Sequence, residues 1–177
     1  MNIKKLRSLI KHLWLDPSDV RRALSPDMLQ RLTSRVAASE SRHTGQIRLC
    51  IEASLPASYL WRLNERENMQ QLVQQRALML FGKLRVWDTA QNNGVLVYLQ
   101  LAEKALEIVA DRGLNAQVSQ MQWQAISQSM SAAFSEARFE DGLTQALEEV
   151  SALLVAYFPL PAGASRLDEL PDQPVLV

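Results

Sequence analysis

Five polar residues in two short stretches carry the chemistry that this sequence could do: Asp88, Asn92 and Asn93 in the first, Asp111 and Arg112 in the second. Carboxylate and amide oxygens are hard donors of the kind that calcium (Ca2+) or magnesium (Mg2+) selects. Gly94 and Gly113 follow the two stretches and let the backbone bend so that carbonyl oxygens also point inward. Asp88, Asn92, Asn93 and Asp111 are therefore the candidate metal ligands. Arg112 is the candidate phosphate contact, or an ion-pair partner for Asp88. The same residues also suit ordinary turns, because Asn, Asp and Gly tolerate left-handed backbone and cap exposed groups.

Other reactive residue types point elsewhere. Cys50 falls in mid-strand and reads as a small buried hydrophobe. His43, at a helix end, reads as a charge complementing the helix dipole, with no nucleophile announcing itself beside it. The tryptophans at 14, 61, 87 and 123 lie singly and read as packing, not as a platform for stacked bases.

The two polar stretches are 20 residues or so apart, so particular elements must bring them together. Gln46–Glu52 alternates, with Ile47, Leu49 and Ile51 on one face, and predicts a first strand. A helical pattern follows from about 57 to 81, stopped at Gly82. The run 94–101 is apolar at nearly every position, which predicts a strand covered on both faces. Residues 105–111 return as its hairpin partner. A strand, a long helix and a second strand make a βαβ unit, so the first two strands should be parallel and the third antiparallel. With the turn centred on Glu103, Val95 pairs near Asp111. The loop before strand two and the loop after strand three then share one end of the sheet, while Glu52 and Glu103 lie at the other.

Flanking helices complete the reading. Ile3, Leu6, Ile10, Leu13 and Trp14 recur at helical spacing among Lys4, Lys5, Arg7 and Lys11, a short basic amphipathic helix that suits an anionic membrane surface but more often docks on its own domain or on a partner. Ser25-Pro26-Asp27 starts a helix running to about Arg42. Two more helices, at about 119–138 and 142–158, have stripes wide enough to face a core. From Pro159 onward the residues lack periodicity, and a flexible Pro-rich tail is expected.

The chain's 177 residues suit one globular domain. Nineteen basic and nineteen acidic residues cancel, which supplies no global field for nucleic acid. One cysteine and two histidines build neither a disulfide framework nor a Cys/His zinc site, and six scattered glycines build neither a Walker loop nor a dinucleotide fingerprint. Lys11 and His12 interrupt what would be a signal-peptide core, and no stretch approaches the roughly 18 apolar residues of a membrane span. A cytoplasmic protein without a transmembrane segment is the expectation, peripheral to the inner face of the membrane where it meets one.

The chain resembles the TPM domain family. The likeness rests on Thr44-Gly45-Gln46-Ile47-Arg48, the run Trp87 to Tyr98, Ile108 to Leu114, Trp123, Phe139-Glu140-Asp141-Gly142-Leu143, and Tyr157-Phe158-Pro159. It implies a three-layer α/β/α sandwich with a small mixed sheet of three to four strands, in a βαββαα core with N-terminal helices. Some members are described as divalent-ion binders or acid phosphatases. Many have Asp-Asn-Gly where this chain has Asn92-Asn93-Gly94, and many are exported and anchored. The expected organisation is basic helices at 1–24, a TPM-like domain at 25–158 and the tail at 159–177. The expected function is a non-catalytic interaction, assembly or maintenance domain with a protein partner at the membrane and a weak divalent-ion site. The alternative is a metal-dependent acid phosphatase working through the loops around Asp88 and Asp111.

Overall fold

A computed structural model describes residues 3–63, 68–165 and 168–177. Three helices lead: α1 (Ile3–Trp14), α2 (Pro17–Ala23) and α3 (Pro26–Glu40). Ser25 caps α3 as its sequence predicts, its hydroxyl accepting from Met28 N. Strand β1 (Gln46–Glu52) is followed by α4 (Ala57–Leu60), α5 (Met69–Lys83), β2 (Gly94–Gln100) and β3 (Ala105–Ala110). The chain closes with α6 (Arg112–Asn115), α7 (Gln120–Ser135), α8 (Phe139–Tyr157) and β4 (Val175–Leu176).

One mixed sheet has the order β3-β2-β1-β4. β1 and β2 are parallel from Gln46 opposite Gly94 to Glu52 opposite Gln100. β2 and β3 are antiparallel, and Val95 pairs with Ala110, one residue short of the expected partner. Strand periodicity decides which side chains meet which helices. Ile47, Leu49, Ile51, Val95, Val97 and Leu99 face one core with residues of α2, α3, α7 and α8. Cys50, Leu96 and Tyr98 face a second core under α5, with Leu72, Val73, Ala77 and Leu80. Helices on both faces make the three-layer α/β/α sandwich.

Four expectations need correction. The single helix expected over 57–81 is two, α4 and α5, and the part at 64–67 lies outside the described residues; Asn68 starts α5 with a capping box to Gln71. The helix expected from Gly142 begins at Phe139, because Gly142 packs inside it against the Phe134 ring.

The boundary at residue 24 does not follow the packing. Val20 and Leu24 are fully buried in the same core as Ile47 and Val97. His12 is also buried: its Nδ1 accepts from Leu55 N at 3.0 Å, and its Nε2 lies 3.1 Å from Glu103 Oε1.

The described residues of the tail make contacts with the domain. Leu160 N donates to Arg42 O, the N–H groups of Glu169 and Leu170 both donate to Gln46 Oε1, and Arg48 donates to the carbonyls of Pro171 and Gln173. Val175 and Leu176 then pair with Cys50 and Ile51 as an edge strand. Pro171 and Pro174 stand outside that two-residue strand, so neither removes a ladder bond.

Candidate functional site

The loop before β2 and the loop after β3 meet at one end of the sheet, because Asp111 N donates to Gly94 O at 2.8 Å. Gly113 tightens the junction. Its N–H donates to Asn92 O at 2.8 Å, and a Cβ there would lie 2.5 Å from the same oxygen, so only glycine permits the approach.

Three of the four expected ligands, Asn92, Asn93 and Asp111, lie within this junction. Asn93 is fully buried; its Nδ2 donates to Thr44 Oγ1 at 3.2 Å and its N–H to Thr89 Oγ1 at 3.1 Å. Asn92 takes left-handed backbone at φ 52°, and its Oδ1 accepts from Arg112 Nη2 at 2.7 Å. Asp111 caps the short helix α6, with Oδ1 accepting from Arg112 N at 2.7 Å. Asn93 Oδ1 and Asp111 Oδ2 remain: both are buried and neither has a hydrogen-bond partner.

Asp88 stands apart from these. It is exposed and ion-paired to Arg85, so the expected pairing with Arg112 does not form. Arg112 turns to Asn92 instead.

The donor set fits a hard divalent ion in kind. One carboxylate oxygen and one amide oxygen are buried without a donor, a condition that is unfavourable unless water or a cation relieves it. It does not match the charge of a tight site, because Asp88 is compensated by Arg85 and Arg112 lies next to Asp111.

Sequence reasoning missed three other groupings. Ser39 Oγ lies 2.9 Å from His43 Nε2, and His43 Nδ1 lies 3.1 Å from Gly45 O. The hydroxyl that seemed missing beside His43 is therefore present, and the spacing of four residues along a helix end was its signal. Ser39 and His43 are 4% and 1% exposed, so the pair ties the end of α3 to β1 and no substrate reaches it in this conformation.

The second grouping is the buried ion pair of Glu52 and Arg76 with Tyr98, on the α5 side of the sheet. Cys50 shares that side; burial, with the nearby Glu52 carboxylate, pushes its thiol up to about 12. The third is a set of carboxylates from Glu40, Asp168 and Asp172 within 4.8 Å of one another. Glu40 Oε1 already accepts from Ile47 N, and all three residues have further interactions.

An α/β/α sandwich with a four-stranded mixed sheet, and loops from β2 and β3 joined at one end, defines the class of domain. The TPM domain family profile matches residues 18–153, and the chain belongs to that family. The fold is also similar to the NMR structure of BA42 protein from the psychrophilic bacterium Bizionia argentinensis, with a TM-score of 0.69 at 24% identity over 86% of this chain and 94% of that one. No curated protein matches.

Proposed function

We propose that this TPM domain is a non-catalytic interaction module, an assembly or maintenance factor that acts on a membrane-associated protein partner. The observation that supports it is the outward face of α1. Leu13 and Trp14 are 80% and 82% exposed and Ile10 is 46% exposed, while buried His12 pins the opposite side of the helix to Leu55 and Glu103. At 100° per residue these three side chains share one arc, and Lys11 flanks it. A contiguous apolar stripe turned to water on a monomer marks an interaction surface.

No described helix is long and apolar enough to cross a membrane. In this reading the chain works in the cytoplasm, peripheral to the inner face of the membrane, and its partner is a protein, not nucleic acid. The full chain should pellet with native inner-membrane vesicles and fail to pellet with the same vesicles after protease treatment. A Leu13→Asp/Trp14→Asp variant that folds normally should not pellet with either. Equal binding to protease-treated vesicles would make lipid the partner, and no binding to native vesicles would remove the reading.

A second reading concerns the loop junction, where Asn93 Oδ1 and Asp111 Oδ2 favour a weak Ca2+ or Mg2+ site. With one carboxylate at the junction and Arg112 next to it, a dissociation constant of roughly 10⁻⁴ to 10⁻³ M is expected, as in the weakest class of calcium modules. Calcium titration should shift amides only at 88–94 and 111–114, and Asp111→Asn should abolish those shifts. Scattered shifts, or none at millimolar calcium, would leave these residues as turn formers.

The phosphatase alternative uses the same junction, with an ion there to activate water and Arg112 to hold the phosphoryl oxygens. It draws less support, because the Arg112 guanidinium is engaged with Asn92. Metal-dependent release of phosphate from a chromogenic ester would restore it.

A further inference from the structure

Strand β3 is an open edge of the sheet. The bond from Asp111 N to Gly94 O fixes the phase of its ladder with β2, so Ala105, Glu107 and Val109 turn their backbone N–H and C=O toward β2. Leu106, Ile108 and Ala110 turn theirs outward. Among the described residues no hydrogen bond reaches those outward groups. The opposite edge, β4, is only two residues long.

The β3 edge is recessed. It forms the floor of a groove of about 760 Å³, walled by Gln70 and Gln74 of α5 on one side and by Trp123, Gln124 and Ser127 of α7 on the other. One wall carries a donor with nothing to donate to, since Trp123 Nε1 is buried without a partner. The two walls differ in what they would meet. Leu106, Ile108 and Ala110 pack toward the core shared with α7 and Trp123, while Ala105 and Val109 pack toward the core under α5, which by alternation is the side of Glu107.

An open row of backbone donors and acceptors is a template for another strand, and proteins normally keep such edges short or covered. This one is six residues long and held between two unlike walls. We propose that the groove binds an extended peptide segment that adds to β3 as a fifth strand, with its apolar side chains against Trp123 and its alternate, basic side chains against Glu107. Main-chain bonds to Leu106, Ile108 and Ala110 supply affinity, and the two walls supply specificity.

A second copy of this chain fits the groove less well. Its own β3 is equally recessed between α5 and α7, and antiparallel pairing about the strand centre would set two Glu107 side chains near each other. A single extended chain has neither obstacle. The site is separate from both α1 and the loop junction, so it stands whether or not those readings do.

The test uses the full chain and capped hexapeptides at pH 8. A peptide of alternating Lys and Val should shift the amides of residues 105–110 and the Trp123 indole N–H. It should also slow hydrogen exchange at Leu106, Ile108 and Ala110. Two N-methylated isomers should separate: methylation of either all Lys or all Val amides removes the donors facing β3 and weakens binding at least tenfold, while the other isomer binds like the parent. Glu107→Lys should reverse the preference toward an alternating Glu and Val peptide, and Trp123→Phe should weaken binding with the fold intact. Equal binding of both isomers, shifts away from β3, no binding at millimolar peptide, or an unchanged preference in Glu107→Lys would each overturn the proposal. Exchange protection at β3 that grows with protein concentration alone would show that a second copy covers the edge, and would overturn it too.

Discussion

Arg76 on α5 grips the carboxylate of Glu52 at the end of β1, with Nη2 2.5 Å from Oε1 and Nε 3.0 Å from Oε2. The two side chains are 10% and 3% exposed. The Tyr98 hydroxyl donates to the second oxygen at 2.5 Å, and burial together with this carboxylate pushes the phenol pKa up, so it stays a donor. The Arg76 guanidinium also lies 5.5 Å from the centre of the Tyr59 ring. The pair ties α5 to β1 across the core, and every partner is needed once the charges are out of water.

Arg76→Met should therefore destabilise the domain by about 3 to 5 kcal/mol, because it leaves the Glu52 carboxylate buried and unpaired. Adding Glu52→Leu should recover part of that loss. Urea unfolding of the two single variants and the double variant measures the coupling. Single-variant losses below about 1 kcal/mol that simply add would mean that the pair is solvated in solution.

Cys50 should be inert in the native protein. With its thiol near 12, only about one molecule in 10⁴ carries a thiolate at pH 8, and the side chain is fully buried. A thiol-specific chromogenic reagent should react with it at the rate of global unfolding and no faster. Reaction within seconds in the absence of denaturant would place Cys50 at an opening the fold does not show.

Glu107 should make stability depend on pH. Burial alone raises its carboxyl from 4.5 to about 7, so the folded state holds its proton more tightly than the unfolded chain. The resulting stabilisation is complete below about pH 4.5 and is lost as pH rises through 7, on the order of 1 to 3 kcal/mol in all. Glu103, partly buried but hydrogen-bonded by His12, and Glu140, held by Arg31, have lowered values and act in the opposite sense at more acid pH. The difference between wild type and Glu107→Gln isolates the effect. Parallel stability curves between pH 5 and 7.5 would show that Glu107 is solvated.

What could be read from the sequence was what local pattern controls. Alternation at Ile47, Leu49 and Ile51 and the apolar run from Val95 to Leu99 placed β1 and β2 and the parallel pairing. From that pairing came the meeting of the two polar loops. What could not be read was held by long-range contacts without a local pattern. Residues 169–176 look disordered because of their prolines, yet their carbonyl and amide groups are met by the side chains of Arg48 and Gln46, more than 120 positions away in the chain. The site is a similar case. Loop proximity was legible, but Arg85 drawing Asp88 outward and Arg112 choosing Asn92 depend on side-chain geometry in turns, where one left-handed residue such as Arg85 or Asn92 redirects the chain.

Two glycines separate the needs of the loop junction from ordinary backbone preference. A Cβ on Gly113 would meet Asn92 O at 2.5 Å and Gln91 O at 2.8 Å, and both are main-chain atoms that cannot rotate away. A Cβ on Gly82, near the end of α5, would meet nothing within 4 Å. Gly113→Ala should force the 91–92 carbonyls away from α6 and destabilise the domain by about 1 to 3 kcal/mol, the usual range for overpacking. Gly82→Ala should be neutral or stabilising by up to about 1 kcal/mol, from the helix preference alone. Because the displaced loop also carries Asn92 and Asn93, Gly113→Ala should abolish the calcium-induced amide shifts at 88–94 while Gly82→Ala keeps them. A Gly113→Ala protein as stable as wild type, with its calcium response intact, would show that the junction is looser than the contact between Gly113 and Asn92 requires.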